Sequence, residues 1–166
     1  MGIEIERRFL VKPEAWQQRL HRLHGKGVKI TQGYLCMGEN AVVRVRIAED
    51  RAWITLKSRI APATRYEFEY SIPVSDARQI LQTMCGTYII HKTRYHVCAD
   101  ETDCWEVDIF HEQNEGLIIA ELELHDPHQF LILPDWVGEE ITYDTRYDNF
   151  NLAKLPFKTW SDGANH

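Results

Sequence analysis

Much of this chain alternates apolar and charged residues with period two, as a β-strand does when its two faces meet different surroundings. IEIERRFLV, residues 3–11, puts Glu4, Glu6 and Arg8 on one face and Ile3, Ile5 and Phe9 on the other. VVRVRI pairs Arg44 with Arg46, ITLKSR aligns Thr55, Lys57 and Arg59, and RYEFEY aligns Arg65, Glu67 and Glu69. HKTRYH pairs Lys92 with Arg94, WEVDIF pairs Glu106 with Asp108, and IAELEL pairs Glu121 with Glu123. A solvated sheet face also alternates, but it ordinarily mixes Thr, Ser, Gln and Lys. Here most stretches carry a doublet of one sign, and neighbouring like charges repel.

Such doublets persist only if opposite charge lies between them. Clustered carboxylates suit a hard divalent cation, since Mg²⁺ and Mn²⁺ take oxygen ligands. Clustered Arg and Lys suit a multiply charged oxyanion, which arginine chelates with two parallel hydrogen bonds. A barrel bore lined by both clusters would hold a metal–polyphosphate complex, with the apolar residues facing outward under helices.

The remaining pattern supports a mainly β chain of the α+β type. Strands are expected at 2–11, 31–36, 41–48, 51–59, 65–72, 88–97, 104–110 and 117–125, separated by turn signals such as GEN at 38–40 and NEG at 114–116. Pro13 opens a helix whose stripe is Trp16, Leu20 and Leu23. Ser75 caps a second over 76–84, with Ala77, Ile80, Leu81 and Met84 as its stripe. Eight strands fit a barrel or a sandwich, and strand count does not choose between them. With no linker or repeat, residues 1–166 read as one domain.

Composition narrows the class. A net charge of -6 disfavours a nucleic-acid surface. No apolar run reaches the ~18 residues of a membrane span, and no signal-peptide core opens the chain. Cys36, Cys85, Cys98 and Cys104 lack metal-finger spacing and read as buried small hydrophobes in a reduced, cytoplasmic protein. The scattered histidines form no metal-binding pair, and Trp53, Trp105, Trp136 and Trp160 read as packing groups.

These motifs resemble the CYTH domain, or triphosphate tunnel metalloenzyme, family. The family's ExExK signature is matched by Glu4-x-Glu6-x-Arg8 except at its last place. The likeness continues through QGYL (32–35), VRVR (43–46), TLK (55–57), RYEFEY (65–70), KTRY (92–95), WEVD (105–108), AELEL (120–124), LPDWVGEEIT (133–142) and YDTRYDNFNLAKLP (143–156). It implies an eight-stranded antiparallel β-barrel forming a tunnel open at both ends, with flanking helices and triphosphate substrates held inside. It implies that Glu4, Glu6, Glu121 and Glu123 bind Mg²⁺ or Mn²⁺, with Asp108, Glu67 and Glu69 nearby. Arg44, Arg46, Lys57, Lys92 and Arg94 match the triphosphate-binding bases, and Arg59, Arg65 and Arg146 extend that set.

The implied activity is metal-dependent hydrolysis of a small-molecule triphosphate, inorganic triphosphate first. Alternatives are class IV-type adenylate cyclase, thiamine triphosphatase, and non-catalytic binding of nucleotide or polyphosphate. No nucleic-acid or membrane partner is expected, and a homodimer is compatible with this reading. In hydrolytic relatives the signature lysine works with a tyrosine, here Tyr34, to prepare water. Arginine keeps its proton, so Arg8 and Tyr34 form the expected catalytic pair with Arg8 orienting rather than deprotonating. On this view Arg8→Lys raises turnover.

Overall fold

Nine strands form along the alternating stretches: β1 (Gly2–Val11), β2 (Val28–Met37), β3 (Val42–Ala48), β4 (Arg51–Ala61), β5 (Thr64–Ile72), β6 (Ile89–Cys98), β7 (Cys104–Phe110), β8 (Ile118–Glu123) and β9 (Val137–Glu140). They belong to a computed structural model that describes residues 2–23, 25–61, 63–98 and 104–160, including all of their side chains but those of 59–61. All pairings are antiparallel, in the order β5-β4-β3-β2-β6-β7-β8-β1-β9. β1 also pairs with β5 over residues 2–5, so the first eight strands close into a barrel. β1 has the two on opposite edges: Gly2–Ile5 pair with β5, and Glu6–Leu10 pair with β8. β9 is a short extra strand against the far end of β1.

Closure removes free sheet edges and sends alternate side chains into the bore. The outward residues build two cores. Phe9, Trp105, Val107, Ala120 and Leu122 pack beneath Trp16 of α1 (Pro13–Leu20) and Trp136, and the Trp16, Trp105 and Trp136 rings meet edge to face. Val45 and Ala52 pack beneath Ala77 of α2 (Val74–Thr83). α2 starts ahead of the expected Ser75 cap: its cap residue is Pro73, and the Ser75 hydroxyl donates to Asp76 Oδ1 instead. The outer face of β5 has no such cover, leaving Tyr66, Phe68 and Tyr70 about half exposed.

A third core lies inside the barrel and changes the expected open tunnel. On strand after strand the inward residue switches from charged to apolar at one level: Arg8 to Leu10, Lys92 to Ile90, Asp108 to Phe110, Glu121 to Ile119. These apolar residues and Tyr34 pack against Ile141, Tyr147, and Leu152 and Ala153 of α3 (Asn149–Lys154). The C-terminal segment therefore stoppers one end of the bore.

The cysteines also depart from expectation. Cys98 and Cys104 are disulfide-bonded across the end of the β6–β7 hairpin, Cys36 is exposed, and Cys85 alone is a buried thiol. Among the described residues, no helix is long and apolar enough to cross a membrane.

Candidate functional site

Inside the barrel is a cavity of about 760 Å³, walled by the charged faces of the strands. β1 contributes Glu4, Glu6 and Arg8, β3 Arg44 and Arg46, β4 Lys57, and β5 Arg65, Glu67 and Glu69. β6 contributes Lys92 and Arg94, β7 Glu106, and β8 Glu121 and Glu123, while Tyr34 of β2 sits near the closed end. The candidate site residues are thus gathered into one chamber, apart from three. Arg59 has a side chain outside those described. Asp108 is completely buried behind Lys92 and Arg94 rather than on the cavity wall. Arg146 lies outside the bore, where it pairs with Asp144 at 2.6 Å and stacks on Tyr147 and Trp160, because a turn and not a strand carries it.

The acids form one side of the chamber. Strand register sets Glu6 opposite Glu123 and Glu121 opposite Glu106, so carboxylates face carboxylates across two adjoining ladders. Burial pushes Glu121 up from its ordinary pKa, and Glu6 and Asp108 push it further. Glu4 rises to about 7, chiefly by burial and then by Glu6 and Glu67, against the pull of Lys57. Among the described residues no three acid, His or Cys side chains form a ready-made cation cage. The donor chemistry nevertheless fits a hard cation: all the candidate donors are carboxylate oxygens, and their mutual repulsion is what a divalent charge would relieve.

The bases occupy the other sides and are held in place by the remaining acids. Lys57 Nζ lies 3.0 Å from Glu4 Oε2 and 2.9 Å from Glu67 Oε2. Arg46 meets Glu69 at 3.4 Å and lies over the Trp53 ring, while Thr55 donates to Glu69 at 2.8 Å. Arg94 grips Asp108 with two hydrogen bonds of 2.7 and 2.8 Å and reaches Glu106 at 2.6 Å. Burial would raise Glu106, but His96 and Arg94 bring it down to about 2. Burial takes Lys92 down to about 8, with Arg94 adding to the fall and Asp108 opposing it. Among the described residues, two donors of these bases lack a hydrogen-bond partner: the buried Nε–H groups of Arg44 and Arg46.

Arg8 and Tyr34 do not meet as a pair in the described contacts. The Arg8 guanidinium, 3 % exposed, lies 2.7 Å from Asp148 and 3.4 Å from the Thr142 carbonyl oxygen. Tyr34 accepts a hydrogen bond from Gln32 at 3.1 Å, and burial pushes its pKa up, so its phenol stays protonated. Gln32, Asp148 and Asn149 were not singled out from the sequence. Parity could have found Gln32, two residues before Tyr34 on one strand. Nothing in the short DNFNLAK stretch marks Asp148 and Asn149 as reaching into a barrel.

A CYTH domain family model matches residues 2–154. An inorganic triphosphatase of Acetivibrio thermocellus is 41% identical over 162 residues, spanning 98% of this chain and 100% of the relative. An inorganic triphosphatase of Nitrosomonas europaea is 34% identical over 155 residues, spanning 90% of this chain and 96% of the relative. A crystal structure of an inorganic triphosphatase superposes with TM-score 0.62 at 31% identity, covering 90% of this chain and 93% of that one. A closed bore with segregated acids and bases and a match along nearly its whole length leave one assignment: the chain belongs to the CYTH domain family.

Proposed function

We propose that this protein hydrolyses a phosphoanhydride bond of inorganic triphosphate inside the barrel. The observation that carries the reading is the pair of buried Nε–H donors of Arg44 and Arg46, without a partner among the described residues, in a chamber walled by further bases. A buried donor without an acceptor costs about 1–3 kcal/mol, and a phosphate oxygen would remove that cost. The names of the relatives at 41% and 34% identity support the same substrate.

Arg44, Arg46, Lys57, Lys92 and Arg94 would bind the phosphate oxygens and align the chain of phosphates along the bore. In the reaction the bond from bridging oxygen to terminal phosphorus breaks, water supplies the new oxygen, and diphosphate leaves with the bond's electron pair. The same bases stabilise the charge gathering on that leaving group. Tyr34, kept neutral by burial, would donate a hydrogen bond and not take a proton. Arg8, already joined to Asp148, would brace the closed end of the chamber. Glu69 and Asp108 would orient the bases they already touch. Glu4, Glu6, Glu121 and Glu123 would hold Mg²⁺ or Mn²⁺, with Glu67 beside them, and the bound ion would supply Lewis-acid neutralisation of phosphate charge.

The test is product analysis on inorganic triphosphate, ATP, thiamine triphosphate and pyrophosphate, each with Mg²⁺ or Mn²⁺. Phosphate release fastest from inorganic triphosphate supports the proposal. Cyclic AMP from ATP, preferential cleavage of thiamine triphosphate, or metal-dependent binding without release would each replace it.

A further inference from the structure

At the closed end of the chamber four polar side chains form one hydrogen-bonded chain whose direction is set from a single end. Lys92, as an ammonium, can only donate. Its Nζ gives one hydrogen bond to Asp108 Oδ2 at 2.7 Å and another to Asn149 Oδ1 at 3.0 Å. The Asn149 amide must therefore turn its oxygen inward. That oxygen also accepts from Gln32 Nε2 at 2.9 Å, so Gln32 must turn its nitrogen inward. The second proton on that nitrogen goes to the Tyr34 hydroxyl oxygen at 3.1 Å.

Gln32 is fully buried, Lys92 is 3 % exposed and Tyr34 4 % exposed, so solvent offers little compensation for a reversed link. Turning either amide over would set an NH₂ group against the ammonium or two oxygens against each other. Tyr34 is thus compelled to accept from this side. Among the described hydrogen bonds its own O–H donates to no group of the protein, and Tyr34 lines the cavity.

We infer that Gln32 and Asn149 are positioning residues that direct the Tyr34 hydroxyl proton into the chamber, toward an oxygen of the bound triphosphate. Lys92 sets the polarity, Asn149 carries it from β6 to β2, and Gln32 delivers it to the tyrosine. The C-terminal stopper thereby contributes an essential link to the reacting end of the bore. This inference rests on the proposed phosphohydrolase reading and adds residues to it.

Turnover of inorganic triphosphate by purified variants tests it, with thermal unfolding run on each to show retained fold. Gln32→Glu brings an acceptor where a donor stood, so Tyr34 must spend its proton on the introduced carboxylate. Its kcat should fall about tenfold or more, with KM changed much less, as on removing one aimed hydrogen-bond donor. In a Tyr34→Phe background the same substitution should cost almost nothing further, because the effect passes through the hydroxyl. Asn149→Leu should lower kcat similarly, and Asn149→Asp, which keeps the acceptor, should recover most of that loss. Unchanged kcat in Gln32→Glu, a loss confined to KM, or an equal loss with and without the Tyr34 hydroxyl would overturn the inference. A wild-type protein that releases no phosphate from triphosphate would overturn the functional reading and this inference together, and is seen before any variant is compared.

Discussion

Arg8 and Lys92 are both buried cations at the closed end of the bore, yet they are held on opposite terms. Arg8 has Asp148 at 2.7 Å and the Thr142 carbonyl at 3.4 Å, both reached by one terminal nitrogen at the far end of its long side chain. Sequence alone leads one to expect Arg8→Lys to raise turnover by restoring the family signature. The geometry reverses that expectation, since a lysine would serve this brace less well and gain no described link to Tyr34. Arg8→Lys should lower the melting temperature without raising kcat. Arg8→Ala, which leaves the buried Asp148 carboxylate with the more distant Arg65 at 3.8 Å, should destabilise by about 3 kcal/mol in denaturant titrations. Lys92 instead carries a proton weakened by burial, with its pKa down at about 8 against 10.5 for an ordinary lysine. The native protein binds this proton less tightly than the unfolded chain, so the lysine's contribution to stability rises with pH between those values. Its positive charge is half lost at about pH 8 and falls further above it, which should raise KM for triphosphate as pH climbs through that point. In Lys92→Arg the rise should flatten, and an identical KM–pH profile in both proteins would count against a role in binding.

Elements fit together here through one glycine and one short helix. An added methyl at Gly33 of β2 would lie 2.7 Å from Leu81, 2.8 Å from Cys85 and 2.8 Å from Ile89 at once. α2 and its following turn seat against the barrel at this point, so Gly33→Ala should cost about 1–3 kcal/mol by overpacking. Unaltered stability to urea would show that α2 can shift outward freely. The longer strands were legible because each repeats the period-two pattern several times, and the same parity gathered most of the candidate site. β9 and α3 were not, since four and six residues give too few repeats to show a period. Their places come from tertiary contact: β9 lies along β1, and α3 fills the bore with Leu152, which is completely buried. The stopper itself had a readable trace in the switch from Arg8 to Leu10, Lys92 to Ile90 and Glu121 to Ile119. Arg146 looked like one more inward base because its neighbours in sequence carry family motifs, but no strand parity supported it. The Cys98–Cys104 pairing depends on hairpin register, which spacing alone does not supply.

Taken whole, the barrel stores like charge at its centre, and its stability should respond to whatever neutralises that charge. Glu4 holds its proton more tightly when folded, at about 7 against 4.5, so its contribution to stability declines as pH rises across that window. Glu121 is raised in the same direction by burial and its acidic neighbours. Adding Mg²⁺ at neutral pH should therefore raise the melting temperature, by about 2.7 kcal/mol of stability when the ion reaches ~100 times its Kd. Glu121→Gln should stabilise the metal-free protein and blunt that response. A variant that melts lower without metal, or keeps the full magnesium shift, would contradict the assignment of the acidic wall. The way the barrel closes has a further consequence, which lies in its synthesis. β1 leaves the ribosome first, but the strand that pairs with Glu6–Leu10 is β8, near the other end of the chain. At ~10 residues per second β1 waits roughly ten seconds for that partner with one edge unpaired. Glu4, Glu6, Arg7 and Arg8 put charge on this waiting strand, and charged residues on an open edge discourage pairing with other chains. The residues that line the chamber in the finished protein would thus guard the nascent one. Exchanging Glu4 and Glu6 for threonine should increase the aggregated fraction in cell-free translation, and an unchanged soluble yield would remove this second role.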